Sequence, residues 1–381
     1  MTAPISPLLS SLAAYPFVRL EEAKRDAAAR GIEIIDFGVG DPREPTPSLV
    51  RDALAAALGD SSRYPLAQGL PELREAIADW AGRRFGIVLD PDTEIIPTLG
   101  SKEAIFGLAQ VVVGERRLVA CPDPGYPVYE RGALFAGGEP VAVPLLEVNG
   151  FLPDLDALDP ALLDRLAVFW VNYPNNPTAA VAGLELYERL GELARRHGFL
   201  LASDEAYSEL WFESPPASAL QLTDRTNVLV FNTLSKRSSM TGYRSGFAAG
   251  DPSLIAALRA FRPTVGTAPQ EFVQRASVAA WGDESHVEET RERYGRKRRL
   301  IAGVLERRGV RIAGAAATMY LWVAVPEGET SESFAARLLE HGVVVAPGAY
   351  LGAAGEGYVR FALVPSLEDC ERAAAILEEV L

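Results

Sequence analysis

Runs of apolar, largely β-branched residues recur along the chain, and several end abruptly in a polar cluster. The runs lie at 117–121, 140–143, 166–172, 199–203, 227–232 and 245–249; helical apolar spacing occupies 47–58, 71–85, 101–113, 185–197 and 253–262. An apolar run without alternation suits a strand buried on both faces, so the pattern predicts an α/β fold with a mostly parallel sheet between helices. An amphipathic stretch, Val18 to Arg30, stops at Gly31, and the run Ile32 to Phe37 breaks into Gly38-Val39-Gly40-Asp41-Pro42. Long helices are expected over 270–281 and 286–308. The tail then reads strand, helix, strand, strand, helix at 319–325, 331–341, 343–346, 357–364 and 367–380, a smaller α+β unit beginning near 275–285.

Composition removes several function classes. The chain of 381 residues carries a net charge of −14, which opposes binding to a phosphate backbone, so no nucleic-acid partner is expected. No apolar run reaches membrane-spanning length, and the first residues lack a basic region followed by a continuous apolar stretch. Cys121 and Cys370 make no disulfide framework, and with three histidines they give no metal-ligand spacing. The expectation is a soluble cytoplasmic protein without metal or membrane. Lysine occurs only at Lys24, Lys102, Lys236 and Lys297, against 33 arginines. A lysine kept in such a chain is either chance or a free amine that arginine cannot supply.

Ligands of open parallel sheets sit beyond the carboxyl ends of the strands. At those ends stand Asp204-Glu205-Ala206-Tyr207, Asn172-Tyr173-Pro174-Asn175-Asn176-Pro177-Thr178, Asn232-Thr233-Leu234-Ser235-Lys236 and Pro122-Asp123-Pro124-Gly125-Tyr126. Each alone makes a turn or starts a helix; four together make a pocket. Hydroxyls at 233 and 235, with Arg244 before Ser245-Gly246, suit a phosphate. A desolvated lysine beside positive charge becomes a nucleophile for Schiff-base formation, which singles out Lys236. Asp204 is the carboxylate that a pyridine nitrogen needs to stay protonated. The set points to pyridoxal 5′-phosphate.

With Asn176-Pro177-Thr178, Ser203-Asp204-Glu205-Ala206-Tyr207, Thr233-Leu234-Ser235-Lys236, Gly242-Tyr243-Arg244 and Gly357-Tyr358-Val359-Arg360-Phe361 in order, the chain resembles the fold-type I pyridoxal-phosphate aminotransferases of the aspartate aminotransferase superfamily, class I/II. The resemblance spans essentially the whole chain. Three positions depart from the usual pattern: Ala179 in place of glycine, Tyr243 in place of tryptophan and Thr233 in place of serine. What the resemblance implies agrees with the residue reading. Lys236 would carry the cofactor and move the substrate proton, Asp204 would hold the ring nitrogen proton, and Asn176 and Tyr207 would bond the ring oxygen. Tyr126 would cover the ring face. Gly100, Ser101, Thr233, Ser235 and Arg244 would hold the phosphate, with Lys102 adjacent, and Tyr64 would reach the phosphate of a neighbouring subunit, making a homodimer with shared sites. Arg360 and Gly40 would take the substrate α-carboxylate, with Asn176 beside them. The implied division is 1–44 as a segment of the small domain covering the site, 45–280 as the large cofactor domain and 281–381 as the small domain.

Three functions compete: transfer of an amino group between an L-amino acid and a 2-oxo acid, a pyridoxal-phosphate lyase on the same fold, and a regulator with a degenerate domain. The regulator is disfavoured because every cofactor residue is present and no helix-turn-helix extension exists. Leu234-Ser235-Lys236-Arg237-Ser238, Gly242 to Phe247 and Tyr320-Leu321-Trp322 look most like N-succinyldiaminopimelate aminotransferases of lysine biosynthesis, which exchange the amino group with glutamate and 2-oxoglutarate. Related enzymes take LL-diaminopimelate, aspartate, alanine or aromatic amino acids. The segment Tyr15-Pro16-Phe17-Val18-Arg19 is expected to fold over the pocket, with Arg19 for a distal carboxylate.

Overall fold

The computed structural model describes residues 5–12, 17–60, 63–114 and 117–381. In chain order the strands are β1 (Ile35–Asp36), β2 (Ile95–Thr98), β3 (Leu118–Asp123), β4 (Glu139–Pro144), β5 (Leu166–Asn172), β6 (Leu200–Asp204), β7 (Val228–Thr233), β8 (Gly246–Gly250), β9 (Ile312–Gly314), β10 (Tyr320–Ala324), β11 (Val343–Val344), β12 (Ala346–Pro347) and β13 (Tyr358–Ala362). Seven of them form one sheet in the order β2-β8-β7-β6-β5-β3-β4. All pairings in it are parallel except the two made by β8. Alternate residues of β5 serve opposite faces: Phe169 and Val171 join one apolar cluster, Val168 and Trp170 another. Helices cover both faces, which is why β5 shows no alternation of polarity.

Local signals set the helix boundaries. In the helix Pro71–Phe85, proline occupies the first turn and Gly86 closes the end at φ +69°, while Leu73, Ile77, Trp80 and Ala81 form the buried stripe. Gly198 ends Leu184–His197 in the same way at φ +72°, behind Arg195, Arg196 and His197 in the last turn.

A second sheet is antiparallel, in the order β12-β13-β10-β9, and has its own apolar cluster with the helices Ser285–Arg307 and Leu367–Val380. The early strand β1 pairs in parallel with the late β11, tying residues 35–36 to 343–344. The turn 283–284 separates the helix Glu271–Gly282, packed on the large sheet's side, from Ser285–Arg307, packed on the small one. The expected strand 343–346 is in fact two, and they belong to different sheets.

Candidate active site

The carboxyl ends of β5, β6 and β7 open on a cavity of about 570 Å³ that Gly40, Tyr320 and Arg360 also line. Strand register sets its floor. Asn172 and Asp204 are direct cross-strand partners. The Asn172 amide donates to the Asp204 carbonyl at 2.7 Å, and its oxygen accepts from the Asn176 N–H at 2.9 Å, so one side chain fixes both neighbours. After β7, the Thr233 hydroxyl caps the short helix Leu234–Arg237 by accepting from the Ser235 N–H at 3.1 Å. Lys236 thereby projects into the cavity, where its Nζ donates to the Gly40 carbonyl at 2.7 Å.

The electrostatics are unusual because the charges lack partners. Burial raises the Asp204 pKa to about 6, against the lowering effect of the Tyr129 hydroxyl, the Ala206 N–H and Lys236. Its Oδ2 accepts from Tyr129 at 2.8 Å and its Oδ1 from Ala206 at 3.2 Å; among the described residues no ion pair engages it. Burial also lowers the Lys236 pKa to about 8, with Arg360 and Arg244 acting the same way and Asp41 and Asp204 opposing. Arg360 is 3% exposed. Its Nη1 donates to Asn176 Oδ1 and its Nη2 to the Gly38 carbonyl, both at 2.8 Å, while Nε lacks an acceptor and no described carboxylate pairs with it. A buried carboxylate and a buried guanidinium without counter-charges are costly unless a ligand supplies them.

At the other end Ser101, Lys102, Thr233, Ser235, Thr241 and Arg244 surround the start of the helix Gly100–Val112. Gly100 has φ +70°, and a Cβ there would stand 2.5 Å from Arg244 Nη2. Burial, with Arg244 and Arg131 nearby, lowers the Lys102 pKa, and its Nζ lies 5.8 Å from the Tyr126 ring centre. Hydroxyls, a guanidinium and a helix N-terminus make an anion cradle.

Of the residues singled out from sequence, Gly40, Ser101, Lys102, Tyr126, Asn176, Asp204, Tyr207, Thr233, Ser235, Lys236, Arg244 and Arg360 all line this cavity. Gly100 adjoins it behind Arg244. Tyr64 does not: it is fully exposed on the surface. Arg19 is exposed too, and lies beside Tyr350 instead of in the cavity. Phe17 does line it, whereas Tyr15 and Pro16 lie outside the described residues. Ala179, in the glycine position, adopts φ +57° fully buried, so the backbone is kept and the alanine carries the strain. Tyr129, Tyr320 and Asp41 were not expected. Tyr320 sits among apolar residues where an aromatic reads as core.

The chain matches the aminotransferase class I and II family over residues 32–377 and belongs to it. It is a pyridoxal-phosphate-dependent aminotransferase. Among relatives, it is 42% identical to "LL-diaminopimelate aminotransferase" of Aquifex aeolicus, over 96% of this chain and 97% of that one. A solved aminotransferase of Neisseria meningitidis superposes with a TM-score of 0.92 at 38% identity, covering 99% of this chain and all of the other. A structure from Thermus thermophilus, described as a probable N-succinyldiaminopimelate aminotransferase, superposes at 0.90 with 34% identity, over 96% and 100%. Among the described residues no helix is long and apolar enough to cross a membrane, and no group of three or more His, Cys, Asp or Glu could hold a metal.

Proposed function

We propose that this enzyme transfers the amino group of LL-diaminopimelate to 2-oxoglutarate, with Lys236 as the cofactor lysine. The carrying observation is the cavity's unpaired charges: a buried carboxylate, a buried guanidinium and an amine of lowered pKa near enough to feel both. These residues fit pyridoxal phosphate. A protonated ring nitrogen supplies the cation that Asp204 lacks, and a phosphate suits Ser101, Thr233, Ser235, Arg244 and the helix start at Gly100. Asn176 and Tyr207 would hold the ring oxygen, Tyr126 would cover the ring face, and Lys102 would add positive charge near the phosphate.

When bound, the cofactor supplies an aldehyde for the substrate amine and a ring that withdraws the electrons left on Cα. The protein's part is orientation and proton transfer. Arg360 and the Gly40 backbone hold the α-carboxylate. Lys236 Nζ, about half of it unprotonated near pH 8, takes the Cα proton and later returns one. Asp204 would stay ionised and hold the proton of the ring nitrogen. The same reading divides the chain into 1–44, 45–280 and 281–381, supported by the β1–β11 pairing and the turn at 283–284. It also makes the enzyme a homodimer in which Tyr64, exposed between the exposed Leu58 and Leu66, completes the partner's phosphate site.

For the donor, the relatives named LL-diaminopimelate aminotransferase support the free diamino acid. The N-succinyl derivative, expected from the sequence, is the second reading, supported by the likeness to the Thermus structure of that description. A donor panel with 2-oxoglutarate separates them: kcat/KM for LL-diaminopimelate should exceed that for N-succinyl-LL-diaminopimelate, aspartate, alanine and phenylalanine. A higher value for the succinylated donor selects the second reading. Ammonia released with no glutamate formed would mark a lyase and remove the transferase reading.

A further inference from the structure

Tyr320 begins β10 opposite Ala362, which makes it the diagonal neighbour of Arg360 on β13. Its ring faces the Arg360 guanidinium carbon at 4.5 Å, with Phe17 at 5.5 Å as a second aromatic contact. Its hydroxyl lies 2.8 Å from that of Tyr207, both residues being buried, with the rings edge to face at 5.4 Å. The Tyr320 hydroxyl also abuts Gly40 so closely that a Cβ at position 40 would overlap it. One side chain therefore touches the residues read as gripping the substrate carboxylate and the one read as serving the cofactor oxygen.

Proton counting gives this contact a direction. Two phenols bring two protons, and only one fits between the oxygens. Among the described residues the Tyr320 hydroxyl has no hydrogen-bond partner other than Tyr207. If Tyr207 is to donate into the cavity, Tyr320 must donate to Tyr207. A hydroxyl that accepts one hydrogen bond is a stronger donor in the next. Burial and the neighbouring Tyr320 hold the Tyr207 pKa well above the ordinary phenol range, so the pair keeps both protons.

We propose that Tyr320 is a positioning residue with two contacts: its hydroxyl donates to Tyr207, which then donates to the cofactor's ring oxygen, and its ring braces Arg360 for the α-carboxylate. The proposal rests on the assignments of Tyr207 and Arg360 given above. It couples carboxylate binding at Arg360 to the hydrogen bond at the ring oxygen through a single rigid side chain.

The test titrates the visible absorbance of the bound cofactor against pH in the holoenzyme and in Tyr207→Phe, Tyr320→Phe and Tyr320→Leu, with KM for the amino donor measured alongside. Losing a donor to the ring oxygen makes that oxygen hold a proton more tightly, so Tyr207→Phe raises the midpoint. Tyr320→Phe raises it in the same direction by about half a unit to one unit, the worth of one hydrogen bond, and leaves KM within about twofold. Tyr320→Leu also removes the ring and raises KM about 3- to 30-fold. If Tyr207→Phe moves the midpoint and Tyr320→Phe does not, the donation from Tyr320 is overturned while Tyr207 keeps its assignment. If neither moves it, the assignment of Tyr207 fails and the relay fails with it. An unchanged KM in Tyr320→Leu overturns the bracing of Arg360.

Discussion

Glu205 follows Asp204 directly, yet serves the opposite purpose. It is 1% exposed; its Oε1 accepts from the Ser203 hydroxyl and the Ala219 N–H, both at 2.9 Å, and its Oε2 has no partner. Burial pushes its pKa up to about 7 from an ordinary 4.5, against the lowering effect of these bonds and of Arg84. The folded protein thus keeps this proton up to about pH 7, whereas the unfolded chain releases it near pH 4.5. Glu205 accordingly costs nothing below pH 4.5, and its contribution turns against folding as pH rises from 4.5 to 7, then levels off. Glu205→Gln removes that dependence. Relative to wild type, the variant should gain on the order of 2–3 kcal/mol between pH 4.5 and 7.5, read by urea unfolding at a series of pH values. A stability difference that stays flat across that range would show Glu205 ionised in the fold. The acid pair was legible in the sequence, but only the burial of one carboxyl in a core and the other in a cavity separates their roles.

Among the elements, the segment after Lys236 is anchored at the turn between the two long helices. The Arg237 guanidinium lies 4.6 Å from the Trp281 ring centre and 5.6 Å from that of Trp80, and bonds Glu284 at 2.9 Å. Next to it, the Ser238 hydroxyl meets His286 Nε2 at 2.8 Å, and Asp283 Oδ2 lies 2.6 Å from His286 Nδ1. Arg237→Ala should lower stability by about 2–4 kcal/mol, chiefly because it empties the buried space against the Trp80 and Trp281 rings, the partly exposed Glu284 carboxylate adding little. Thermal unfolding checks this; a loss under about 1 kcal/mol would mean that the ion pair and stacking contribute little. How far such elements could be read depended on where their signals lie. Pro71 and Gly86 bracket their helix in the sequence itself. The strand β2, Ile-Ile-Pro-Thr, is too short and too interrupted to stand out. The reversal of β8 leaves no mark on residue pattern, since a run buried on both faces looks the same in either direction. Likewise 343–346 is one apolar run to the eye, and only pairing with β1 and β13 splits it.

In the whole molecule, the cavity collects residues from both ends of the chain: Gly40 and Asp41 early, Arg360 late, with the large sheet between. A contact of the same kind binds the frame: Lys297, 1% exposed, holds Glu44 at 2.6 Å across 253 residues. The polar clusters at strand ends were readable because charge after a buried strand is costly without a function. Tyr320 was not, since its neighbours in sequence are core residues; its partner Tyr207, like Tyr129's partner Asp204, lies far along the chain. Tyr64, exposed in a single copy, gives the proposed dimer a direct consequence. Mixing Lys236→Ala with Tyr64→Ala subunits should produce hybrid dimers with one intact site, and activity at limiting cofactor above either parent. No gain after confirmed subunit exchange would place Tyr64 outside the site.

The proposed chemistry depends most on which amine carries the cofactor. Lys102 is the rival, since it lines the same cavity and burial lowers its pKa as well. Only Lys236 combines a position at the end of a buried strand, a pKa near 8 and proximity to both Asp204 and Arg360. Borohydride reduction of the holoenzyme, followed by peptide mass mapping, should find the reduced cofactor on Lys236 and no label in Lys236→Ala. Label on Lys102 in the wild-type protein would contradict that assignment and the mechanism built on it.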